Sequence, residues 1–457
     1  MEQELNITLG FQLSTGKVNL NEIIYHLKEI RDPIMLQILE NILRYYDDLI
    51  VDRLNKTNKY SSIAKKGLGR HKRKAGNGEF CLGSTVQKAG YRQKFRTIKT
   101  VFGKLQFRVR EAKCCTCGKK YSPLLNALDI KPYERKEINL EREVTEAVID
   151  TNYRRLIDGR SIDISLGGIH NIVVGSDIDQ VLKQPVNLED LAGVMADGTG
   201  VKQKKGRKGE LRAVIGITHS GRVKPMGCFT NTEWAEVEQT VKKRLKQEQK
   251  AGAENQIKIP FVYDGEPGLD NFLAEATKAQ RCTWHAPRGL YHALWEDGLK
   301  KKQSLPEQDK VKKLVGIELP GEDFELLKQS DKKAVQDRYE TSKAEIKALI
   351  ETFREKGYKK GSAYLENLST ELFSHIEIWL NTGVIAPKTT SLLERVFREV
   401  GRRLKRIAWG WSDKAVTNLS NMIMIRQYSR KKWEQFWKEK LGIKGFFQVR
   451  IVSTCIP

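Results

Sequence analysis

The sequence predicts an α/β fold, on two observations. Between residues 191 and 284, strand-like apolar runs alternate with helical patterns, and two of those runs end on an aspartate. Charge sets the context: 81 Lys+Arg against 57 Asp+Glu leave a net +24 over 457 residues. Such an excess repels itself in the compact state unless something anionic neutralises it. Nucleic acid is the commonest such partner, because each phosphate contact releases condensed counterions. Ribosome-associated factors and merely basic enzymes also carry charge of this size. Hydrophobic residues make up 39%, enough for a substantial core, which excludes a disordered chain. The opening Met1-Glu2-Gln3-Glu4-Leu5 is acidic where a secretory signal would be basic and apolar, and no run reaches membrane-spanning length. Seven irregularly spaced cysteines argue against a disulfide framework. A cytoplasmic setting fits all three observations.

Taken in order, residues 17–56 place apolar side chains at helical spacing and predict a helical hairpin broken near Asp32-Pro33. Residues 64–76 form a basic, glycine-punctuated arm in which Lys72, Arg73 and Lys74 are candidate DNA contacts. A plain solvated linker has the same composition. Residues 85–125 are strand-rich, with Thr97–Arg110 suggesting a hairpin turned at Gly103-Lys104. They run into Cys114-Cys-Thr-Cys117-Gly, half of a zinc-ribbon site, since two thiolates at that spacing can converge on one tetrahedral ion. No second Cys-x-x-Cys follows, and Cys81 and His71 are the nearest further ligands. The alternative is a treble-clef-like turn that keeps its shape without metal. Helical stretches at Leu140–Val148 and Tyr153–Leu156, followed by a glycine-containing segment at 165–174, are compatible with a helix-turn-helix and equally with a small helical bundle.

The core pattern begins at Leu191–Asp197, a buried-type strand closed by a carboxylate. Leu211–Ile217 and Val223–Phe229 are the second and third strands, and Glu233–Gln249 is a helix with Trp234, Val237, Val241 and Leu245 on one face. Lys258–Asp264 is a fourth strand, again ending in aspartate. A short helix at Leu269–Thr277 and a fifth strand at Gln280–Trp284 complete the set. Three strands, helix, strand, helix, strand is the order of an RNase H-like fold, in which the first and fourth strands are neighbours. Asp197 and Asp264 would then approach closely, which is costly unless a cation sits between them. Mg²⁺, a hard cation that takes oxygen ligands, suits the place.

A third acid comes from a later helix. In Thr389–Arg406 the stripe Leu393, Val396, Phe397, Val400, Leu404, continued by Ile407, is apolar, while Glu394, Arg398, Arg402 and Lys405 share another face. One acid heading a row of basic side chains suits a metal site facing a phosphate backbone. The competing reading is a capping box, Ser391-x-x-Glu394, in which the glutamate only holds the helix start. Lys202, Lys204, Lys205, Arg207 and Lys208, in the hairpin after Asp197, are further candidates for phosphate contact or simply a soluble tip.

Together these residues resemble the Mutator-like superfamily of DDE transposases, which includes many bacterial insertion-sequence enzymes. The resemblance rests on Ala-Asp197-Gly-Thr-Gly, Tyr-Asp264-Gly-Glu-Pro-Gly-Leu, the Thr-Thr-Ser-Leu-Leu-Glu394-Arg-x-Phe-Arg-Glu helix, and the Cys-x-x-His pair Cys282-Thr-Trp-His285. It covers roughly 190–425. It implies a catalytic triad of Asp197, Asp264 and Glu394 holding two Mg²⁺ (or Mn²⁺) ions, with Cys282 and His285 marking the fifth strand. It also implies an all-helical insertion between the second and third acids, which lie 130 positions apart. The implied activity is strand cleavage and strand transfer on element ends and target DNA. The implied assembly is a homodimer or larger oligomer on DNA, in the bacterial nucleoid. Other outcomes of the same pattern are an RNase H-like nuclease that does not join strands and a DNA-binding regulator that has lost catalysis. The expected divisions are 1–60, helical; 61–135, basic arm and strand-rich Cys-x-x-Cys region; and 136–188, helical. The core's first part follows at 189–298, the helical insertion at 299–385, and the final catalytic helix with the carboxy-terminal region at 386–457. The fold class is thus an RNase H-like α/β core with a helical insertion, plus an α+β amino-terminal DNA-binding region.

Overall fold

The computed structural model describes residues 20–56, 71–72, 80–81, 86–159, 163–203, 207–246, 258–321, 324–404 and 411–443. Arg73, Lys74, Lys204, Lys205, Lys405, Ile407 and most of the basic arm lie outside the described residues. The chain forms two compact units, Met1–Ile172 and Val173–Pro457. Among the described residues no helix is long and apolar enough to cross a membrane.

The first unit opens with α1 (Leu20–Lys56), which contains Pro33. The hairpin expected near Asp32-Pro33 is therefore one continuous helix. A proline removes one backbone bond and crowds the preceding turn, and here helix-forming sequence on both sides carries the helix through. Two short strands, β1 (His71–Lys72) and β2 (Phe80–Cys81), pair antiparallel. Next come β3 (Val86–Tyr91), β4 (Arg96–Thr100), β5 (Gly103–Phe107), β6 (Arg110–Cys114) and β7 (Lys120–Tyr121). They form a β3-β6-β7 sheet and a separate β4-β5 hairpin. Thr100 pairs with Gly103, so the hairpin turns at Val101-Phe102, two residues before the expected place. Gly103 serves instead at φ +118° and close to α1, where a Cβ would stand 3.4 Å from Leu36 Cδ1. Leu43, Ile50, Ile98, Leu105, Phe107, Val109 and Leu124 share the core with Cys81 and Cys114. Helices α2 (Pro123–Ala127), α3 (Ile138–Asp150), α4 (Tyr153–Gly159) and α5 (Leu166–Val174) follow, and the two expected helical stretches fall inside α3 and α4.

In the second unit, α6 (Asp179–Leu182) and β8 (Val186–Asn187) precede β9 (Leu191–Lys202), β10 (Lys208–Thr218) and β11 (Val223–Thr230). Then come α7 (Trp234–Arg244), β12 (Leu245–Lys246), β13 (Ile259–Tyr263) and β14 (Thr277–Arg281). One five-stranded sheet has the order β11-β10-β9-β13-β14. Its first three strands are antiparallel, and β13 and β14 run parallel to β9. Leu191 to Asp197 are buried without interruption, as a central strand covered on both faces requires. On one face Val194, Ala196, Val214, Phe261 and Tyr263 pack against Trp234, Val237 and Val241 of α7. On the other, Gly193 leaves room for Pro387, whose Cγ would lie 2.7 Å from an added Cβ.

Four expectations shift here. Strand β9 runs on to Lys202, so Asp197 stands within the strand rather than at its end, and the helix expected at Glu233–Gln249 is Trp234–Arg244, followed by β12. The fifth strand is Thr277–Arg281, earlier than Gln280–Trp284, and Leu269–Ala276 forms turns rather than a helix. Leu273 sits at φ +56°, which no right-handed helix tolerates, while Leu269, Phe272 and Leu273 are held in the α7 cluster. Burial of three apolar residues in one bend outweighs their helical spacing.

After β14 come α8 (Ala286–Glu296), which falls in the stretch expected to be core, and α9 (Lys301–Val315), α10 (Gln329–Glu355), α11 (Lys359–Ser369) and α12 (Ser374–Thr382), which fall within the helical stretch expected at 299–385. The five helices pack as one group. Leu290, Leu294, Val311, Leu314, Ile346, Leu349, Phe353, Leu365 and Trp379 form its own core. It docks along edge strand β14: Ser374 Oγ donates to the Ala279 carbonyl at 2.6 Å, and the Arg281 N–H donates to the Glu371 carbonyl at 2.9 Å. An exposed strand edge is thereby covered. The chain returns through α13 (Ser391–Leu404), which packs against β9 and β10, then α14 (Asp413–Tyr428) against β11, and α15 (Arg430–Leu441).

Candidate active site

Asp197 lies on the central strand with 7% of its surface exposed. Side chains alternate across a strand, so Asp197 shares the face of Gly193 and Met195, away from α7. Asp264 follows β13 directly. The pairs Phe261↔Val194 and Val262↔Met195 have the same 67-position offset as Asp264 and Asp197, so continuing the parallel register brings the two acids side by side. Electrostatics agrees: burial, and next the Asp264 charge, push the Asp197 carboxyl up to about 7, against the Gly198 N–H and His285, which pull it down. The Gly198 N–H donates to Asp197 Oδ1 at 2.8 Å, and the Glu266 N–H donates to Asp264 Oδ1 at 2.9 Å.

Glu394 enters from the first turn of α13, with His285 Nε2 3.8 Å from its Oε1. His285 also feels the Asp197 and Asp264 charges. Its pKa is raised, chiefly by the hydrogen bond with Cys282, against burial. One imidazole thus faces all three acids. Ser391 is the first residue of α13, and the Leu393 and Glu394 N–H groups donate to the Thr390 carbonyl at 2.9 and 3.3 Å. Thr390 therefore occupies the N-cap position with its hydroxyl against Cys282 and His285, and the Ser391-x-x-Glu394 box is out of phase by one residue.

The Cys-x-x-His pair has a structural task here. The Cys282 N–H donates to the Tyr263 carbonyl at 2.8 Å, fixing it beside the strand that delivers Asp264. The Thr390 N–H and hydroxyl reach Cys282 Sγ at 3.4 and 3.6 Å, and Thr390 Oγ1 is 3.5 Å from His285 Nδ1. Burial pushes the Cys282 thiol up, but His285 and Thr390 outweigh it and leave it lowered. The pair ties the start of α13 to the end of β13, which sets the third acid against the other two.

Leu393, Val396, Val400 and Leu404 are the buried stripe of α13; Arg398 and Arg402 are not part of it, and Arg402 pairs with Glu399 at 2.8 Å. Lys202, Arg207 and Lys208 are exposed. Lys72 lies on β1, in the other unit.

Several contributors escaped sequence reasoning. Glu266 accepts from Trp234 Nε1 at 2.7 Å and pairs with Arg212 at 3.6 Å. Its carboxyl is raised by burial and by the Glu210 and Asp264 charges, against Trp234 and Arg212. Arg212 also meets Glu210 at 2.8 Å, and its guanidinium carbon lies 4.9 Å from the Trp234 ring centre. The signal available was Glu266 two residues after Asp264; nothing local marks Arg212, which reads as one more alternating strand residue. Gly265 supports the same bend at φ +106°, and a Cβ there would fall 1.7 Å from Arg281 Nη1. Arg281 is itself tied to Glu371 at 2.8 Å. Gly265→Ala is therefore expected to cost about 1–3 kcal/mol in backbone strain, plus displacement of Arg281. Thermal unfolding checks it against Gly221→Ala, which shares a positive φ but meets open space. Equal melting temperatures for the two variants would refute the role given to Arg281.

No protein-family model matches the chain, and no curated protein matches it in sequence. Among solved structures, a chain of the Drosophila P element transposase strand transfer complex is similar, with a TM-score of 0.34 and 10% identity over 63% of this chain and 92% of that one.

Proposed function

We propose that the chain is a DDE transposase, of the Mutator-like kind its motifs resemble, cutting and rejoining DNA with divalent metal ions held by Asp197, Asp264 and Glu394. The observation that carries this reading is the meeting of β9, the end of β13 and the start of α13 at His285. The strand order β11-β10-β9-β13-β14 supports an RNase H-like core, since it puts the first and fourth strands of the unit's main sheet side by side. The donor set fits a hard cation: oxygen ligands only, with Asp197 held near neutrality by burial and by a second carboxylate. Asp197, Asp264 and Glu394 would together hold the ions through their carboxylate oxygens. When bound, such ions lower the pKa of an attacking water and stabilise charge on the leaving 3′ oxygen.

The chain's own residues do the positioning. Gly198 and Glu266 N–H groups orient the two aspartates; His285 steadies Glu394; the Cys282–Thr390 clasp fixes the helix that carries it. Arg398 and Arg402, outside the buried stripe of that helix, are suited to neighbouring phosphates.

The test is an assay of cleavage and joining on DNA flanking the gene, with Mg²⁺ or Mn²⁺. Wild type is expected to expose 3′-OH ends and join them to a target plasmid. Asp264→Asn and Glu394→Gln are expected to lose both steps by about a hundredfold or more while still retarding DNA in a gel. Cleavage without joining would make the chain a hydrolytic nuclease. Undiminished cleavage by either variant would remove that acid from the site.

A further inference from the structure

The first unit contains a cluster of three cysteines that the chemistry above does not use. Cys114 ends β6, Cys117 lies in the turn after it, and Cys81 ends β2, 33 positions earlier. Their Sγ atoms all lie within 4.8 Å of one another, with Cys81 and Cys114 4.0 Å apart. A tetrahedral zinc with Zn–S bonds of about 2.3 Å separates its sulfurs by about 3.8 Å. The spacing therefore matches thiolates around one ion. Disulfide-bonded sulfurs approach to about 2.05 Å, and one disulfide would leave the third thiol outside it.

The turn has the form that presents two cysteines to a common point. The Gly118 N–H donates to the Cys114 carbonyl at 2.9 Å, and the Cys114 N–H donates to the Lys119 carbonyl at 3.0 Å. Gly118 takes φ +67°, a left-handed position that closes the loop. Cys115, between the two, is exposed and stands outside the cluster, so the four cysteines of the unit divide three to one. Cys81 and Cys114 are buried in the unit's core.

We infer that Cys81, Cys114 and Cys117 bind a structural zinc ion that fastens the β2 strand to the β6–β7 turn. On binding, each thiol would give its proton to solvent, so three protons leave as three Zn–S bonds form; with a solvent water as the fourth ligand the site and its ion carry one negative charge. Lys113, Lys119 and Lys120, the neighbours in sequence, supply compensating positive charge. The ion would join segments that pairing alone holds weakly, since β1, β2 and β7 are two residues long. Metal binding to a site of this kind contributes directly to folding free energy.

The full chain, purified without a metal-affinity step, is expected to carry close to one zinc per chain by plasma mass spectrometry. Cys81→Ser and Cys117→Ser are each expected to lose it, and Cys115→Ser to keep it. Should the first two variants fail to fold, wild type provides the decision: metal-free, reduced chain titrated with Co²⁺ is expected to show thiolate-to-cobalt charge-transfer absorption and the intense visible bands of a tetrahedral site. Absence of both zinc and the cobalt spectrum in folded wild type would overturn the inference. So would a Cys81→Ser protein that retains its zinc.

Discussion

Asp197→Asn is expected to lower metal-dependent strand cleavage by about a thousandfold or more, the equivalent of about 4 kcal/mol of transition-state stabilisation, without loosening the fold. The substitution is nearly isosteric, and the amide oxygen can still accept the Gly198 N–H bond that Asp197 Oδ1 accepts at 2.8 Å. It removes a buried carboxylate that stands against another one. The apo protein is therefore expected to melt no lower than wild type. What disappears is the affinity for a cation. A ligand that binds only the folded state raises stability in proportion to the logarithm of its concentration over its dissociation constant. Mn²⁺ or Mg²⁺ should thus raise the melting temperature of wild type and leave the variant unmoved. Single-turnover cleavage and thermal unfolding with and without metal provide the two readouts. A variant within about tenfold of wild type, or one still stabilised by Mn²⁺ to the same degree, would refute the assignment.

The second large effect is acid sensitivity centred on His375. This imidazole is fully buried where α12 meets edge strand β14. Its backbone N–H donates to Gln280 Oε1 at 2.8 Å, and Nδ1 lies 2.9 Å from the same oxygen. That arrangement suits a neutral ring protonated at Nδ1, with Nε2 buried and without a partner among the described residues. Gln280 is fixed in turn by Nε2 donation to the Arg281 and Leu372 carbonyls at 2.7 and 2.9 Å. Burial, helped by Lys388, pushes the His375 pKa down to about 3. Because the folded value lies below the unfolded one, about 6.5, the unfolded chain binds the extra proton between them. Stability is therefore present above pH 6.5 and lost as pH falls toward 3, by about 1.4 kcal/mol per pH unit and about 5 kcal/mol at the limit. His375→Asn keeps a donor for Gln280 and removes the titration. Its unfolding free energy is expected to be lower than wild type at pH 7 yet flatter between about pH 6.5 and 5, where few carboxylates titrate. Equal slopes in urea melts across that interval would show that His375 is not the group responsible.

The candidate site was legible in the sequence because its ingredients are local. Asp197 and Asp264 each close an apolar run, and the amphipathic period of α13 puts Glu394 on a different face from its buried stripe. Two neighbouring strands that carry the acids bring them together, and their common 67-position offset survives as parallel register. The helices between β14 and α13 were legible for the same reason: α9 to α12 carry helical periodicity of their own. Periodicity misled at Leu269–Ala276, where three apolar side chains are buried by a bend, and at Asp32-Pro33, where one proline does not stop a long helix.

What local pattern could not supply is every partner chosen across the chain. Cys282 reads as half of a Cys-x-x-His signature, yet its neighbours include Thr390, 108 positions on; Glu266 depends on Arg212 and Trp234; His375 depends on Gln280. Cys81 joins Cys114 and Cys117 only once the strands around them fold. By itself the sequence determined most of the strands and helices and which acids close apolar runs, because hydrophobic period and charge act over a few residues. Tertiary structure alone decided which buried polar groups face one another, because desolvation makes each of them seek a partner wherever in the chain the packing brings one.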